Sequence, residues 1–317
     1  MIRTENLCKK YGDFTAVNNI NLQVEPGEIY GFLGPNGAGK TSTIMMMLGI
    51  SKPTSGDIYL FGEKVTPNRL DLRHRIGVVP EKHPVGMWSW MTGVEYLSLF
   101  AEIYAVDKAE IRIDHLLNRV NLLSVKNKRI KEYSRGMMQK LSIARALLHD
   151  PDILFLDEPI SGLDPIGIKQ IRDLVLEENR DGRTIFISSH LLSEMEKLCQ
   201  RVGILFGGSL AAEDKMDVLL ANLVEDREVI IDLEVIPENI EDTFGMLPYI
   251  EKVHTKGNTL FITAQKNEDI RKELSKFLIG QDLIPLRIEE RQVTLEDAFI
   301  SITRDNLDMF TSMGGKK

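Results

Sequence analysis

The stretch Gly34 to Thr41, GPNGAGKT, limits what this chain can fold into more than any other segment. It fits the pattern G-x-x-x-x-G-K-[ST] and lies between an apolar run, IYGFL, and a segment of helical character. Glycines let the backbone curl so that successive N–H groups face an anion. The loop also feeds a helix N-terminus, whose unpaired N–H groups favour negative charge. The spacing predicts a phosphate loop made by Gly34, Pro35, Asn36, Gly37, Ala38 and Gly39, with Ser42 also at the nucleotide. Lys40 would reach the β- and γ-phosphates, and the Thr41 hydroxyl would bind Mg²⁺. The competing reading is a glycine-rich turn with a chance lysine.

ILFLDEP supplies a second half. Four apolar residues read as a central strand that delivers Asp157 and Glu158 to its carboxyl end. Asp157 would hold Mg²⁺, directly or through water, and Glu158 would polarise a water for in-line attack on the γ-phosphate. Adjacent carboxylates repel unless a cation lies near, so a metal explains the pair economically. Taken alone, the segment also reads as a strand ending at a capped turn.

RIGVVPE, PDILFLDEP and RTIFISSH read as buried strands, the last two each followed by a helix. Such alternation predicts a mainly parallel, helix-covered sheet that binds ligands beyond its carboxyl edge. Residues from about 86 to 150 read as mainly helical, with a capping box at Thr92 and Glu95. Met45, Met46 and Met47 are expected to fill gaps in the core. From Glu228 the order becomes β-α-β-β-α-β with a Gly-Asn turn, predicting a small α+β, ferredoxin-like domain. The expected organisation is a nucleotide-binding domain over 1–220, an accessory domain over 228–305 and a frayed tail over 306–317.

A length of 317 residues exceeds one usual core, in keeping with this division. The net charge of -8 argues against sequence-independent nucleic-acid binding and against polybasic docking on anionic lipid. No run approaches the roughly 20 apolar residues of a membrane span. The N-terminal MIRTENLCKKYG lacks the apolar stretch of a signal peptide. Cys8 and Cys199 lack metal-ligand spacing and read as reduced thiols of a cytosolic compartment.

In order and spacing these motifs resemble the ATP-binding subunit of ABC transporters over about the first 220 residues. YSRGMMQKLSIARALL is similar to that family's signature, SGLDP to its aspartate loop and TIFISSHLLSEMEKL to its switch-histidine segment. The resemblance implies an α/β P-loop NTPase with a RecA-like core, an N-terminal antiparallel β subdomain and a helical signature subdomain. It implies ATP and Mg²⁺ as cofactors. It places Tyr11 under the adenine ring with Val17 nearby as an apolar contact, although Tyr11 alone also reads as strand-end packing. Ser134 and Gly136 match signature positions that serve the γ-phosphate held by a partner subunit. Arg135 stands where glycine is common, either adding charge there or facing solvent, and Met137 stands where glutamine is usual. Asp164 resembles the loop aspartate that contacts the opposite subunit, and before a proline it also reads as a helix N-cap. His190 matches the switch histidine that hydrogen-bonds the γ-phosphate.

If the signature works in trans, one chain holds two half-sites, and two copies head-to-tail hold two complete ones. The implied function is an ATPase that drives a separate transmembrane permease from the cytoplasmic face of the membrane. The ending VTLEDAFISIT resembles ATPases of exporters with separate six-helix permeases for drugs, antibiotics, lipids or polysaccharides. The competing function is a soluble ABC ATPase acting on ribosomes or DNA. Neither the paired nucleotide domains of the first kind nor the long coiled coil of the second is present in the sequence, and no nucleic-acid partner is expected.

Glu81, in VVPEKHPVGMWSW, stands at the family's Q-loop position, which contacts Mg²⁺ and the attacking water. Glutamate keeps an oxygen ligand and adds charge beside Asp157 and Glu158; the alternative is a solvated loop acid. Met87, Trp88 and Trp90 become candidates for the permease contact or for packing within the helical subdomain. Glu81→Gln is expected to retain ATPase activity with a shifted Mg²⁺ requirement, and an unchanged metal titration would favour the solvated acid.

Overall fold

The computed structural model describes residues 1–66, 69–82, 85–222, 227–237, 239–264, 270–291 and 293–303. The chain forms two compact units, one built on Met1–Met216 together with the segment from Phe299, and one on Asp217–Ala298. The expected tail, 306–317, lies outside the described residues.

The first unit opens with two long antiparallel strands, β1 (Ile2–Tyr11) and β2 (Phe14–Val24), followed by β3 (Ile29–Leu33) and helix α1 (Lys40–Met47). The hairpin of β4 (Ser55–Leu60) and β5 (Glu63–Lys64) adds to β1, giving an antiparallel sheet ordered β2-β1-β4-β5. Helix α2 (Leu70–Arg73) leads into β6 (Ile76–Val79). Four helices follow: α3 (Val85–Trp88), α4 (Gly93–Ile103), α5 (Ala109–Arg119) and α6 (Arg135–Ala146). The chain then returns through β7 (Ile153–Asp157), α7 (Pro165–Arg180), β8 (Thr184–Ser189), α8 (Leu192–Leu198), β9 (Arg201–Phe206) and β10 (Ser209–Lys215).

The second sheet is ordered β10-β9-β3-β8-β7-β6, with every pair parallel except β10 with β9. Strands β3, β7 and β8 are buried at every position, as strands covered on both faces must be. That is why they read as continuous apolar runs rather than alternating ones. Phe186 sits at their centre, its ring 5.3 Å from Phe32 and 5.4 Å from Phe155. Each such pair adds about 1 kcal/mol beyond the area it buries.

The capping box forms as its spacing requires. Thr92 N–H donates to Glu95 Oε2 at 2.8 Å, and Glu95 N–H donates to Thr92 Oγ1 at 3.3 Å. The methionine run divides: Met46 and Met47 enter the core, but Met45 is exposed. Three consecutive helical residues sweep about 200° around the axis, so a one-sided core does not hold all three.

Arg119 at the end of α5 ties the helical segment to α7. Its Nε lies 2.8 Å from Glu178 Oε1, and Arg183 Nη1 lies 2.8 Å from Glu178 Oε2. Glu178 is only 2% exposed. Burial pushes its carboxyl pKa up, while the Arg183 and Arg119 guanidinium groups pull it down.

After α9 (Met216–Asn222), the second unit is built from β11 (Arg227–Leu233), α10 (Ile240–Gly245), β12 (Ile250–Lys256), β13 (Thr259–Ala264), α11 (Arg271–Gly280) and β14 (Pro285–Glu290). Its sheet is antiparallel throughout and ordered β12-β13-β11-β14, the ferredoxin-like arrangement. Val229, Ile231, Leu260 and Ile262 face Phe244, Leu274 and Leu278 in its core. A helix over residues 295–303 follows. Cys8 and Cys199 are both free thiols.

Glu178→Gln leaves two guanidinium groups facing a neutral amide in a largely dry setting. It is expected to cost about 3 kcal/mol, read as a lower urea midpoint with an unchanged slope.

Candidate nucleotide site

Strands β3, β8, β7 and β6 are parallel neighbours, so their carboxyl ends present four loops along one edge. The glycine-rich loop follows β3, His190 follows β8, Glu158 follows β7, and Glu81 lies two residues beyond β6. With Tyr11, Phe14 and Ala16 from the β1–β2 end, they line a cavity of about 440 Å³. Pro35, Asn36, Gly37, Gly39, Lys40, Thr41, Ser42 and Ser161 complete its wall.

The loop's shape depends on two glycines. Gly39 has φ +107°, and a Cβ there would fall 2.4 Å from Ala16 O. A Cβ at Gly34 would fall 2.4 Å from Leu205 O on the β9 side. Gly34 and Ala38 lie behind the cavity wall, where they seat the loop against the sheet.

Lys40 is 6% exposed. Its ammonium donates to Gly34 O at 2.7 Å and Pro35 O at 3.3 Å, and lies 3.2 Å from Glu158 Oε1. The other Glu158 oxygen, Oε2, lies 2.8 Å from His190 Nδ1. Glu158 therefore bridges the loop lysine and the histidine. The repulsion expected between Asp157 and Glu158 is relieved here by Lys40, so the carboxylate pair does not by itself require a metal.

Asp157 is held by hydroxyls: Thr41 Oγ1 donates to its Oδ2 at 3.0 Å, and Ser188 Oγ donates to its Oδ1. Among the described residues no three His, Cys, Asp or Glu side chains cluster as a metal site. The donor set of one carboxylate and one hydroxyl at a phosphate loop still suits Mg²⁺, which takes most of its ligands from phosphate and water. Glu158 itself has φ +50°, the left-handed region that costs a non-glycine residue about 1 kcal/mol or more. Its N–H donates to both Ser188 Oγ and Ser188 O, each at 3.1 Å.

Tyr11 is half-exposed at the cavity, with Lys9 Nζ 5.0 Å from its ring centroid. Val17 does not reach the cavity: it is fully buried in the core, with Cγ2 3.4 Å from a Cβ built on Gly39. Strand alternation explains this, because Phe14 and Ala16 share the opposite face of β2. That period-2 signal could have found both residues in advance. Ser161 and Ser188 carried no comparable signal.

Ser134, Gly136 and Asp164 are not among the residues lining this cavity. Ser134 Oγ accepts from Met137 N–H at 3.2 Å and caps α6, while Asp164 Oδ1 accepts from Gly167 N–H at 2.8 Å and caps α7. A Cβ on Gly136 would meet only Leu163 Cδ2, at 4.0 Å. Arg135 lies over the SGLDP loop, where a Cβ on Gly162 would fall 2.4 Å from its Nη1. Of the residues past Glu81, Trp88 packs edge-on against Tyr96 and Phe100 at 6.4 and 6.3 Å, whereas Met87 and Trp90 are exposed.

A family model described as ABC transporter matches residues 17–161. Over 308 residues the chain is 38% identical to the bacitracin transport ATP-binding protein BcrA of Bacillus licheniformis, a match covering 95% of this chain and 97% of that one. It is 34% identical over 311 residues to the Nod factor export ATP-binding protein I of Cupriavidus metallidurans, covering 96% and 97%. Among solved structures, a dimeric post-hydrolysis ATP-binding cassette bound to ADP and Pi covers 68% of this chain and 99% of its own, with a TM-score of 0.60 and 27% identity.

Gly39→Ala forces a side chain into Ala16 O at an unfavourable φ. A strain of about 1–3 kcal/mol is expected to weaken nucleotide affinity about tenfold or more, measured by titration with a fluorescent ATP analogue.

Proposed function

The chain belongs to the ABC transporter family as its ATP-hydrolysing, ATP-binding subunit, and from that premise we propose that two copies drive a separate membrane permease in export. The convergence of four parallel strand ends on one cavity carries this assignment.

In this scheme the γ-phosphate of ATP replaces Glu158 as the anion facing Lys40, and the loop N–H groups take the remaining phosphate charge. Glu158, released from Lys40, orients a water for in-line attack, and His190 donates a hydrogen bond to the γ-phosphate. Thr41 and Asp157 would hold Mg²⁺, with Glu81 on the cavity wall, and the bound ion offsets charge on the phosphate oxygens. Tyr11 stacks on adenine at the exposed rim.

Gly136 supports a site shared between copies. Glycine near a helix start costs up to about 1 kcal/mol relative to alanine, yet among the described residues only Leu163 Cδ2, at 4.0 Å, comes near a Cβ built in the space beside it. Close approach by a phosphate bound to a second copy gives that space an occupant, with Ser134 beside it and Asp164 at the same interface. Two head-to-tail copies complete two sites, and the dimeric cassette similar in fold accords with this.

Among the described residues no helix is long and apolar enough to cross a membrane, and the scheme assigns the spans to another chain. The relative named for Nod factor export supports export as the direction. Met87 and Trp90 are proposed to touch the permease at the cytoplasmic face. Trp90 lines a groove of about 770 Å³ along α4 and α5 that also includes Met91, Ala101 and Ile113, with Glu95, Glu102 and Glu110 among its acidic residues. That composition suits an apolar helix with basic flanks.

Glu158→Gln is expected to bind ATP while losing about a hundredfold or more in turnover, and to run as a dimer with ATP by light scattering after gel filtration. The trapped protein should also carry a membrane protein through pull-down from detergent extract. A monomer with ATP and no membrane companion would overturn the transport scheme.

A further inference from the structure

Ser188 is fully buried in β8, directly after Ile185, Phe186 and Ile187. A hydroxyl there costs free energy unless it is hydrogen-bonded, and an apolar β-branched residue would suit the strand better. The Ser188 hydroxyl is satisfied: it donates to Asp157 Oδ1 and accepts from Glu158 N–H. Its own carbonyl accepts from the same N–H. Asp157 and Ser188 are opposite residues in the parallel pairing of β7 with β8, so a sheet, not a loop, sets the contact.

We propose that Ser188 is a positioning residue for the metal–nucleotide complex, aiming Asp157 Oδ2 at Thr41 on the cavity wall and holding the Glu158 peptide in its left-handed turn. This rests on the ATPase reading above. A carboxylate turns easily about its last torsion, which is broad and two-fold. Thr41 holds Oδ2 from the cavity side and Ser188 holds Oδ1 from behind. When Thr41 turns its oxygen toward a metal it stops fixing the carboxylate, and Ser188 is then the remaining side-chain restraint shown here. The same hydroxyl offers the acceptor that keeps Glu158 at φ +50°. One side chain thus couples the orientation of the metal-side carboxylate to that of the water-side carboxylate.

The test uses the full chain as wild type, Ser188→Ala and Ser188→Thr. A fluorescent ATP analogue is titrated in EDTA and across a Mg²⁺ series, with ATPase rates and melting temperatures measured in parallel. Binding in EDTA should stay within about twofold of wild type, because the Ser188 hydroxyl bonds Asp157 and Glu158 rather than the phosphate loop. In Ser188→Ala the Mg²⁺ midpoint for analogue binding should rise about tenfold or more, the scale seen when an outer partner of a metal ligand is lost. Its kcat should fall while KM for ATP at saturating Mg²⁺ holds. Ser188→Thr, which keeps the hydroxyl, should restore the midpoint. If threonine prevents folding, Ser188→Cys, a weaker donor, should give an intermediate midpoint.

A wild-type Mg²⁺ midpoint in folded Ser188→Ala would overturn the proposal. So would equal losses of EDTA and Mg²⁺ binding that track a lowered melting temperature, because Ser188 would then serve only the core. Wild-type protein that binds the analogue without any response to Mg²⁺ would instead overturn the ATPase reading.

Discussion

A lysine ammonium at 6% exposure needs an anion within reach, and the organisation of the site follows from where that anion sits. Lys40 finds it in Glu158, 3.2 Å away, with two loop carbonyls completing its hydrogen bonds. The carboxylate proposed to activate water is thereby engaged by the loop lysine. In the proposed scheme, ATP exchanges one anion for another at the same cation. Such an exchange avoids stranding a buried charge at either end and links Glu158's release to arrival of the γ-phosphate.

That exchange needs a scaffold that does not move. The parallel sheet supplies one, because β3, β7 and β8 are buried along their whole lengths and lock together through Phe32, Phe155 and Phe186. Parallel pairing puts the lysine loop, the carboxylates and His190 side by side at one edge, although they come from distant parts of the chain. The Arg119–Glu178–Arg183 cluster then fastens the helical segment to the same body.

Features governed by local spacing were legible in the sequence. The phosphate loop, the strand before Asp157, the Thr92–Glu95 box and the β-α-β-β-α-β order of the second unit all depend on neighbours within a few residues. What escaped depends on which way a side chain faces. The resemblance puts Val17 near the adenine, but pleating turns it into the core and leaves Phe14 and Ala16 at the cavity. Trp88 and Trp90 look equivalent in sequence, yet one packs on Tyr96 and the other faces out. Arg135 lies over Gly162, a contact between residues 27 positions apart that no periodicity reveals. Ser188 was invisible because its importance comes from a residue on the adjacent strand.

The caps made by Ser134 and Asp164 have a kinetic side. Both residues belong to loops proposed to meet a second copy, and in the single chain both already hold their helices in order. Little loop entropy remains to be lost on association, so the encounter is governed by diffusion and long-range charge rather than by conformational search. Two chains of net charge -8 repel one another beyond contact range. Dissolved salt, which shortens that repulsion to about 8 Å at physiological ionic strength, would then set how fast the two copies of the proposed dimer find each other.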